Sequence, residues 1–276
     1  MSLNKPIWKF KDWIKIEKLN FKFINKNKKS VDYLKEHPEK INWSYLSYNE
    51  NAIELLEKNQ DKIDWSALST NPSAIKLLKE NPDKIDWYSL STNTNKEAIE
   101  LLKANPNKIN WINLSLNPSA IELLMENQDK ISWSNLSLNS EAMELLIKNK
   151  KKINSFNLNF NINAIEYLIK NKNLIWDINL SCNPKAIDFL EKNKDMIVWS
   201  SLSSNPNGIK LLEQNQDKIS WSDISNNTEI FELDYNGMKK NNMEMEEDLI
   251  KEVMKPTRLF KMIEKYGDEY LELMFE

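Results

Sequence analysis

Few residues in this chain could serve as nucleophile, base or metal ligand, and they do not converge. There is one histidine, His37, and one cysteine, Cys182. A Ser/His/Asp triad would have to be built on His37 alone, and a zinc site needs three or four nitrogen or sulfur ligands. His37 stands where other segments carry Asn59 or Asn81, so it reads as a turn residue. Carboxylates are plentiful, 41 in all, yet no pair is singled out, because they lie in near-identical stretches. Three glycines in 276 residues are too few for phosphate-cradling loops. The composition points away from an enzyme, and no cofactor or metal is expected.

The element that positions these residues is the stretch from Ile63 to Lys84, IDWSALSTNPSAIKLLKENPDK, which returns with a period of about 22 residues, in the solenoid range. Its tryptophan column runs through Trp43, Trp65, Trp87, Trp111, Trp133, Trp199 and Trp221. Phe21, Ser155 and Asp177 hold the same column where it has decayed, and the aromatic has slid by one place to Phe156 and Trp176. The longer step from Trp87 to Trp111 contains two extra residues near Thr94 and Asn95, in a turn, where insertions are tolerated best. About ten repeats therefore run from Leu19 to Asn227.

Within one repeat, Asn71 followed by Pro72 is a helix-start signal. Ala74, Ile75 and Leu78 then share one face, widened by Leu77, and Asn81 before Pro82 ends a helix of about ten residues. Asp86 can cap a second, very short α or 3-10 helix carrying Trp87 and Leu90. Neither helix is long enough to stand alone, so each must bury its stripe against neighbouring repeats. The expected fold is an all-α solenoid with helical caps. A leucine-rich-repeat horseshoe with strands is the alternative, since the period and segments such as NLSLN fit it. Against it, the position of Tyr48, Thr70, Leu116, Leu138, Cys182 and Ser204 is not regularly apolar.

The chain divides into a basic, aromatic N-terminal cap over 1–18, the solenoid over 19–227, and a methionine-rich helical C-terminal cap over 228–276, with helices expected at 248–254 and 257–265. The tryptophan column is expected to be core. Asn49, Asn71, Asn117, Asn139, Asn183 and Asn205, with Asn27, Asn161 and Asn227, are expected to cap helices. A serine column, including Ser47, Ser69 and Ser91, precedes them by two residues. Stacked helices would make a curved rod on the order of 90 Å long.

Two surfaces could meet a partner. An exposed stripe reads Glu54, Glu100, Glu122, Glu144, Glu166 and Asp188, with Asp32, Lys76 and Lys210 in the same column, which is either a solvated face or a surface for a basic partner. Residues 1–30 contain nine lysines against Asp12 and Glu17, interleaved with Trp8, Phe10, Trp13, Phe21 and Phe23. Such a segment could contact nucleic acid, although the net charge is −3 and the only arginine is Arg258.

The units IDWSALSTNPSAIKLLKENPDK, INWINLSLNPSAIELLMENQDK and IVWSSLSSNPNGIKLLEQNQDK, preceded by KDWIKIEKLNFKF, resemble the Trp/Asn-Pro repeat proteins of nucleocytoplasmic large DNA viruses of the mimivirus and phycodnavirus kind. The resemblance covers about Lys11 to Asn227, and KPTRLFKMIEKYGDE is similar to their usual C-terminal end. It implies a binder of other macromolecules acting in a host cell and supplies no catalytic residues. Around Ser155 and Asp177 the chain departs from the pattern.

The N-terminus lacks the apolar core of a signal peptide, and no run of about 18 apolar residues occurs. A single cysteine suits a reducing compartment. The expectation is a non-enzymatic scaffold for a protein partner in the host cytoplasm, not secreted and not inserted in a membrane, monomeric or weakly associating end to end. The competing expectations are a nucleic-acid-associated protein using its lysine-rich end and a self-assembling virion component.

Overall fold

The computed structural model of the chain describes residues 6–240 together with Met243, Lys251 and Lys255. The helices expected at 248–254 and 257–265 lie outside the described residues. Two compact units are present, one made of Met1–Lys9 with Leu233–Glu276 and one of Phe10–Glu232. In the first, Asp234 N donates to Ile7 O at 2.9 Å, and the Asp234 carboxylate accepts from Gly237 N at 3.0 Å. Trp8–Phe10 and Phe231–Leu233 pair as a two-stranded sheet. The second unit holds all the repeats.

The typical repeat is a short helix, a 3-10 turn, a longer helix and a second 3-10 turn, so the chain is an all-α repeat solenoid. In the third repeat Asp64 Oδ1 accepts from Ala67 N at 3.1 Å and starts the helix Trp65–Thr70. Asn71 Oδ1 accepts from Ser73 N at 3.0 Å and opens the 3-10 turn Pro72–Ala74, whose proline has no N–H to leave unpaired. Ile75–Glu80 follows as an α-helix and Pro82–Lys84 as a second 3-10 turn. The ten-residue helix expected from Asn71 is thus divided at Ala74, where ψ of 2° tightens the chain into the 3-10 form. In the fourth repeat the two extra residues remove that break, and Lys96–Ala104 is one continuous nine-residue helix capped by Asn95. Within the repeats, no described residue lies in a strand, so the strand-bearing horseshoe does not form.

The core lies between short and long helices. Leu46, Leu68, Leu90, Leu114 and their counterparts in the short helices have no exposed surface, as have Leu56, Leu78, Leu102 and Leu124 in the long ones. Between them sits a column of small residues at 0–1% exposure, Ala52, Ala74, Ala98, Ala120 and Ala142. Each buried leucine contributes roughly 1.5–3 kcal/mol.

Two polar ladders run through this core. Asn49 Nδ2 donates to the carbonyls of Asn25 and Asn27 in the preceding repeat at 2.9 and 2.8 Å. Asn71, Asn93, Asn117, Asn139, Asn161, Asn183, Asn205 and Asn227 reach back in the same way. In the second ladder Ser47 Oγ donates to Trp43 O at 2.8 Å and accepts from Asp64 N of the next repeat at 3.1 Å. Ser69, Ser91, Ser115, Ser137, Ser181 and Ser203 accept from the next repeat in turn. Asn25 and Asn159 take the serine place where it is missing.

Both ladders close. Asn27 Nδ2 donates to Asn227 O at 3.4 Å, and Ser225 Oγ accepts from Asn20 N at 2.8 Å, each in the register used between sequence neighbours. Lys29 Nζ meets Glu229 Oε2 at 2.7 Å, and Phe10 stacks on Phe231 with centroids 4.3 Å apart. The repeat unit is therefore a ring and not the curved rod that open stacking would give. Residues 10–18 also belong to this unit and do not stand apart as a cap. Ten repeats spaced by the usual 8–10 Å of packed helices would lie at a radius of ~13–16 Å. Between successive repeats, Trp65–Thr70 packs directly on Trp87–Leu90 and Trp199–Ser203 on Trp221–Ile224, and 3-10 turns such as Pro118–Ala120 and Ser140–Ala142 meet, whereas no two long helices among the described residues approach as closely. In a closed ring the closest spacing lies at the smallest radius, so the short helices line the inner circumference.

Candidate binding surfaces

The tryptophans are half-buried at the edge of the core and not its fully enclosed rungs, a place held by the leucine and asparagine columns. A lysine from the following turn lies over the ring in most repeats. Lys62 Nζ lies 4.7 Å from the Trp43 ring centroid, Lys108 4.3 Å from Trp87, Lys130 4.6 Å from Trp111, Lys152 4.2 Å from Trp133 and Lys218 4.5 Å from Trp199. Lys40 covers Phe21 at 5.0 Å, and Lys18 covers Trp221 across the ring junction at 5.5 Å. Where the aromatic gives way to Ser155 and Asp177, the lysine is replaced by Leu174 and Met196. The two columns change together because each lysine's partner is the ring beneath it.

Asn49, Asn71, Asn117, Asn139, Asn183 and Asn205 each accept, through Oδ1, from the N–H two residues on while the amide joins the ladder, and all but Asn49 thereby open a 3-10 turn. Asn93 belongs to this set and was missed by sequence reasoning, which looked past it to the inserted residues. Its signal was its 22-residue step from Asn71 and its place two residues after Ser91.

The acidic column lies on the long helices and is exposed at Glu54, Glu100, Glu122, Glu144, Glu166 and Asp188. Lys58 pairs with Glu54 at 2.7 Å, Lys103 with Glu100 at 3.0 Å and Lys148 with Glu144 at 2.6 Å. The hydrogen bonds that Lys58 and Lys103 donate to Glu54 and Glu100 raise the pKa of both ammonium groups above the ordinary value, and the one that Lys148 donates holds the Glu144 carboxyl below its own. At these three positions the stripe is neutralised on its own helix. A cleft between Lys96–Ala104 and Ile121–Glu126 is lined by Ile99, Glu100, Lys103, Ser119, Ile121 and Glu122, and Ser119 Oγ there donates to Thr94 O at 2.7 Å.

Much of the basic N-terminal charge is engaged within the ring. Lys28 pairs with Glu50 at 2.7 Å, Lys29 with Glu229, and Lys11 with Glu232 at 3.8 Å. Lys15 and Lys18 lie over Trp221, and Lys26 lies 4.1 Å from the Tyr48 ring, where burial lowers its pKa. His37 Nδ1 faces Glu39 at 3.6 Å and its ring packs on Tyr33. Cys182 is half-buried near Ser204. Among the described residues no three His, Cys, Asp or Glu side chains gather to hold a metal ion, and no helix is long and apolar enough to cross a membrane.

One face was not expected from the sequence. The residue after each tryptophan position, and the one four further on, point away from the leucine core on the short helices. In this inner-facing pair of columns only Lys22 and Lys26 are charged. Tyr88, Ile112, Phe156 and Ile178 stand there 60, 58, 47 and 51% exposed, while the remaining repeats place Ser44, Ser66, Ser134, Ser200 and Ser222 at the same position. Next to Phe156, Trp176 is 48% exposed, with centroids 5.7 Å apart. Large apolar side chains in water at four repeats, on a backbone that carries serine at five others, are a surface for recognition and not a packing requirement. No protein-family model, curated protein or solved structure matches the chain.

Proposed function

We propose that this chain is a non-enzymatic repeat scaffold that holds a protein partner on its short-helix face. The observation that carries this reading is the row Tyr88, Ile112, Phe156 and Ile178, exposed where neighbouring repeats carry serine. The closed ladders support it: the ring needs no partner to complete its core, so these side chains are left for another molecule. Aromatic and large aliphatic anchors on a rigid frame are the residues that dominate protein interfaces. The resemblance to viral repeat proteins is what supports a partner in a host cell, and no helix among the described residues is long and apolar enough to cross a membrane.

The test is capture from host-cell extract with the whole chain and with Tyr88→Ser/Ile112→Ser/Phe156→Ser/Ile178→Ser, quantified by mass spectrometry. The variant should keep the fold and lose the proteins held by the unmodified chain. Equal recovery by both chains would contradict the reading.

A further inference from the structure

The seventh and eighth repeats carry two irregularities at one place. The aromatic leaves its column: Ser155, half-buried, and Asp177, exposed, hold that position, while Phe156 and Trp176 stand on either side of it, half in water and edge to face at 75°. Phe160, Ile162 and Ile178 extend the exposed patch. The charge of the adjoining turn also reverses. The middle residue of that turn is acidic at Glu39, Asp61, Asp83, Asp129, Asp195 and Asp217 and neutral at Asn107; here it is the basic Lys151 and the neutral Asn173. Between Lys148 and Ile178 six lysines face two acids, Glu166 and Asp177, in a chain of net charge −3.

Two of those lysines are occupied, Lys148 by Glu144 and Lys152 by the Trp133 ring. Lys150, Lys151 and Lys172 are exposed and form no ion pair with a described carboxylate. Neither irregularity is needed for stacking, because the other repeats stack with a half-buried aromatic in the column and an acidic or neutral residue in the turn. Together they make an apolar, aromatic patch rimmed by unneutralised positive charge.

We infer that this patch docks an acidic segment of a partner protein that carries aromatic or leucine anchors. The anchors would pack on Phe156 and Trp176, and the carboxylates would face Lys150, Lys151 and Lys172. A single-stranded nucleic acid is the less suitable occupant. Base stacking needs open ring faces, whereas here one ring's edge covers the other's face, and the rest of the patch is largely aliphatic. The inference rests on the scaffold reading and gives it a partner chemistry.

A phage-displayed library of random 12-residue peptides, panned on the whole chain, tests it. Recovered peptides are synthesised and titrated against Lys150→Gln/Lys151→Asp/Lys172→Gln, which restores the charge pattern of Gln60 and Asp61, and against Phe156→Ser/Trp176→Ser, which copies Ser134 and Ser132. Thermal melting confirms that both variants fold. The expected peptides are rich in Asp and Glu with Trp, Phe or Leu, lose at least tenfold in affinity to each variant, and weaken with salt. Failure to enrich such peptides, or equal affinity for the variants, overturns the inference. So does a twenty-residue oligothymidine whose binding disappears with the same substitutions. Peptides that ignore these variants but are lost with Tyr88→Ser/Ile112→Ser would remove this site and leave the scaffold reading standing.

Discussion

Asn27 donates its side-chain amide to the carbonyl of Asn227, a residue 200 positions away, in the register that Asn49 uses toward Asn27. The first repeat thereby does for the last what each repeat does for its predecessor. An open stack leaves one face of its terminal repeats unpaired and needs capping; here that face is spent inside the molecule.

Closure predicts a specific covalent product. The Lys29 ammonium and the Glu229 carboxylate are in contact at 2.7 Å, so a zero-length carbodiimide should join them within one chain. Mass spectrometry of a proteolytic digest should find that cross-link at protein concentrations too low for intermolecular coupling. Its absence there, with Lys28–Glu50 coupled as an internal control, would count against the closed register.

The asparagine ladder predicts an unequal cost for two neighbouring columns. Asn139 is 1% exposed, donates to Ser115 O and Asn117 O, and accepts from Glu141 N. Asn139→Ala would strand those buried groups at about 1–3 kcal/mol for each one left unsatisfied. Asn226→Ala, at an exposed position of the same motif, should stay within about 0.5 kcal/mol. Urea unfolding of both variants makes the comparison, and similar midpoints would contradict it.

The lysine and tryptophan columns should be energetically coupled. A double-mutant cycle on Lys152→Ala and Trp133→Ala should return about 0.5–1 kcal/mol of coupling. The same cycle on Leu174 and Ser155 should return no cation–π contribution, since neither the charge nor the ring is present. A zero value for Lys152 and Trp133 would mean that the lysine column is merely solvated.

The exposed short-helix row should be silent for stability. Tyr88→Ser and Ile112→Ser replace side chains 60 and 58% exposed with the residue that five other repeats carry. Thermal unfolding should move by no more than the equivalent of about 0.5 kcal/mol. A loss of several kcal/mol would show that these side chains hold the ring together.

The repeat, its helical nature and most of its columns were legible in the sequence because each follows from residues within one period, such as Asn71, Pro72 and Leu78. Closure was not, because Ser225 and Asn20 look the same locally whether the stack is straight or curved. What bends it is the difference in spacing between short-helix and long-helix faces, and no single repeat encodes that. The division of the longer helix at Ala74 escaped for a related reason, since 3-10 and α turns share their apolar spacing over three residues. Trp43 looked like core because its column is so regular; the regularity also serves Lys62, the cation above it. The exposed row was overlooked because Tyr88, Ile112, Phe156 and Ile178 differ in type and alternate with serine, so no pattern marks them until the short helix shows which way they point.

The most direct measurement is the distance between Lys28 and Thr228, equivalent exposed positions in the first and last repeats. Nitroxide labels at Lys28→Cys and Thr228→Cys, in a Cys182→Ser background, can be read by dipolar electron paramagnetic resonance beside a Lys28→Cys/Glu50→Cys control. The closed ring predicts a separation indistinguishable from that of the control, whose residues lie in successive repeats. An open stack of ten layers, at the usual 8–10 Å each, would place the labels on the order of 80 Å apart, and that result would contradict the account.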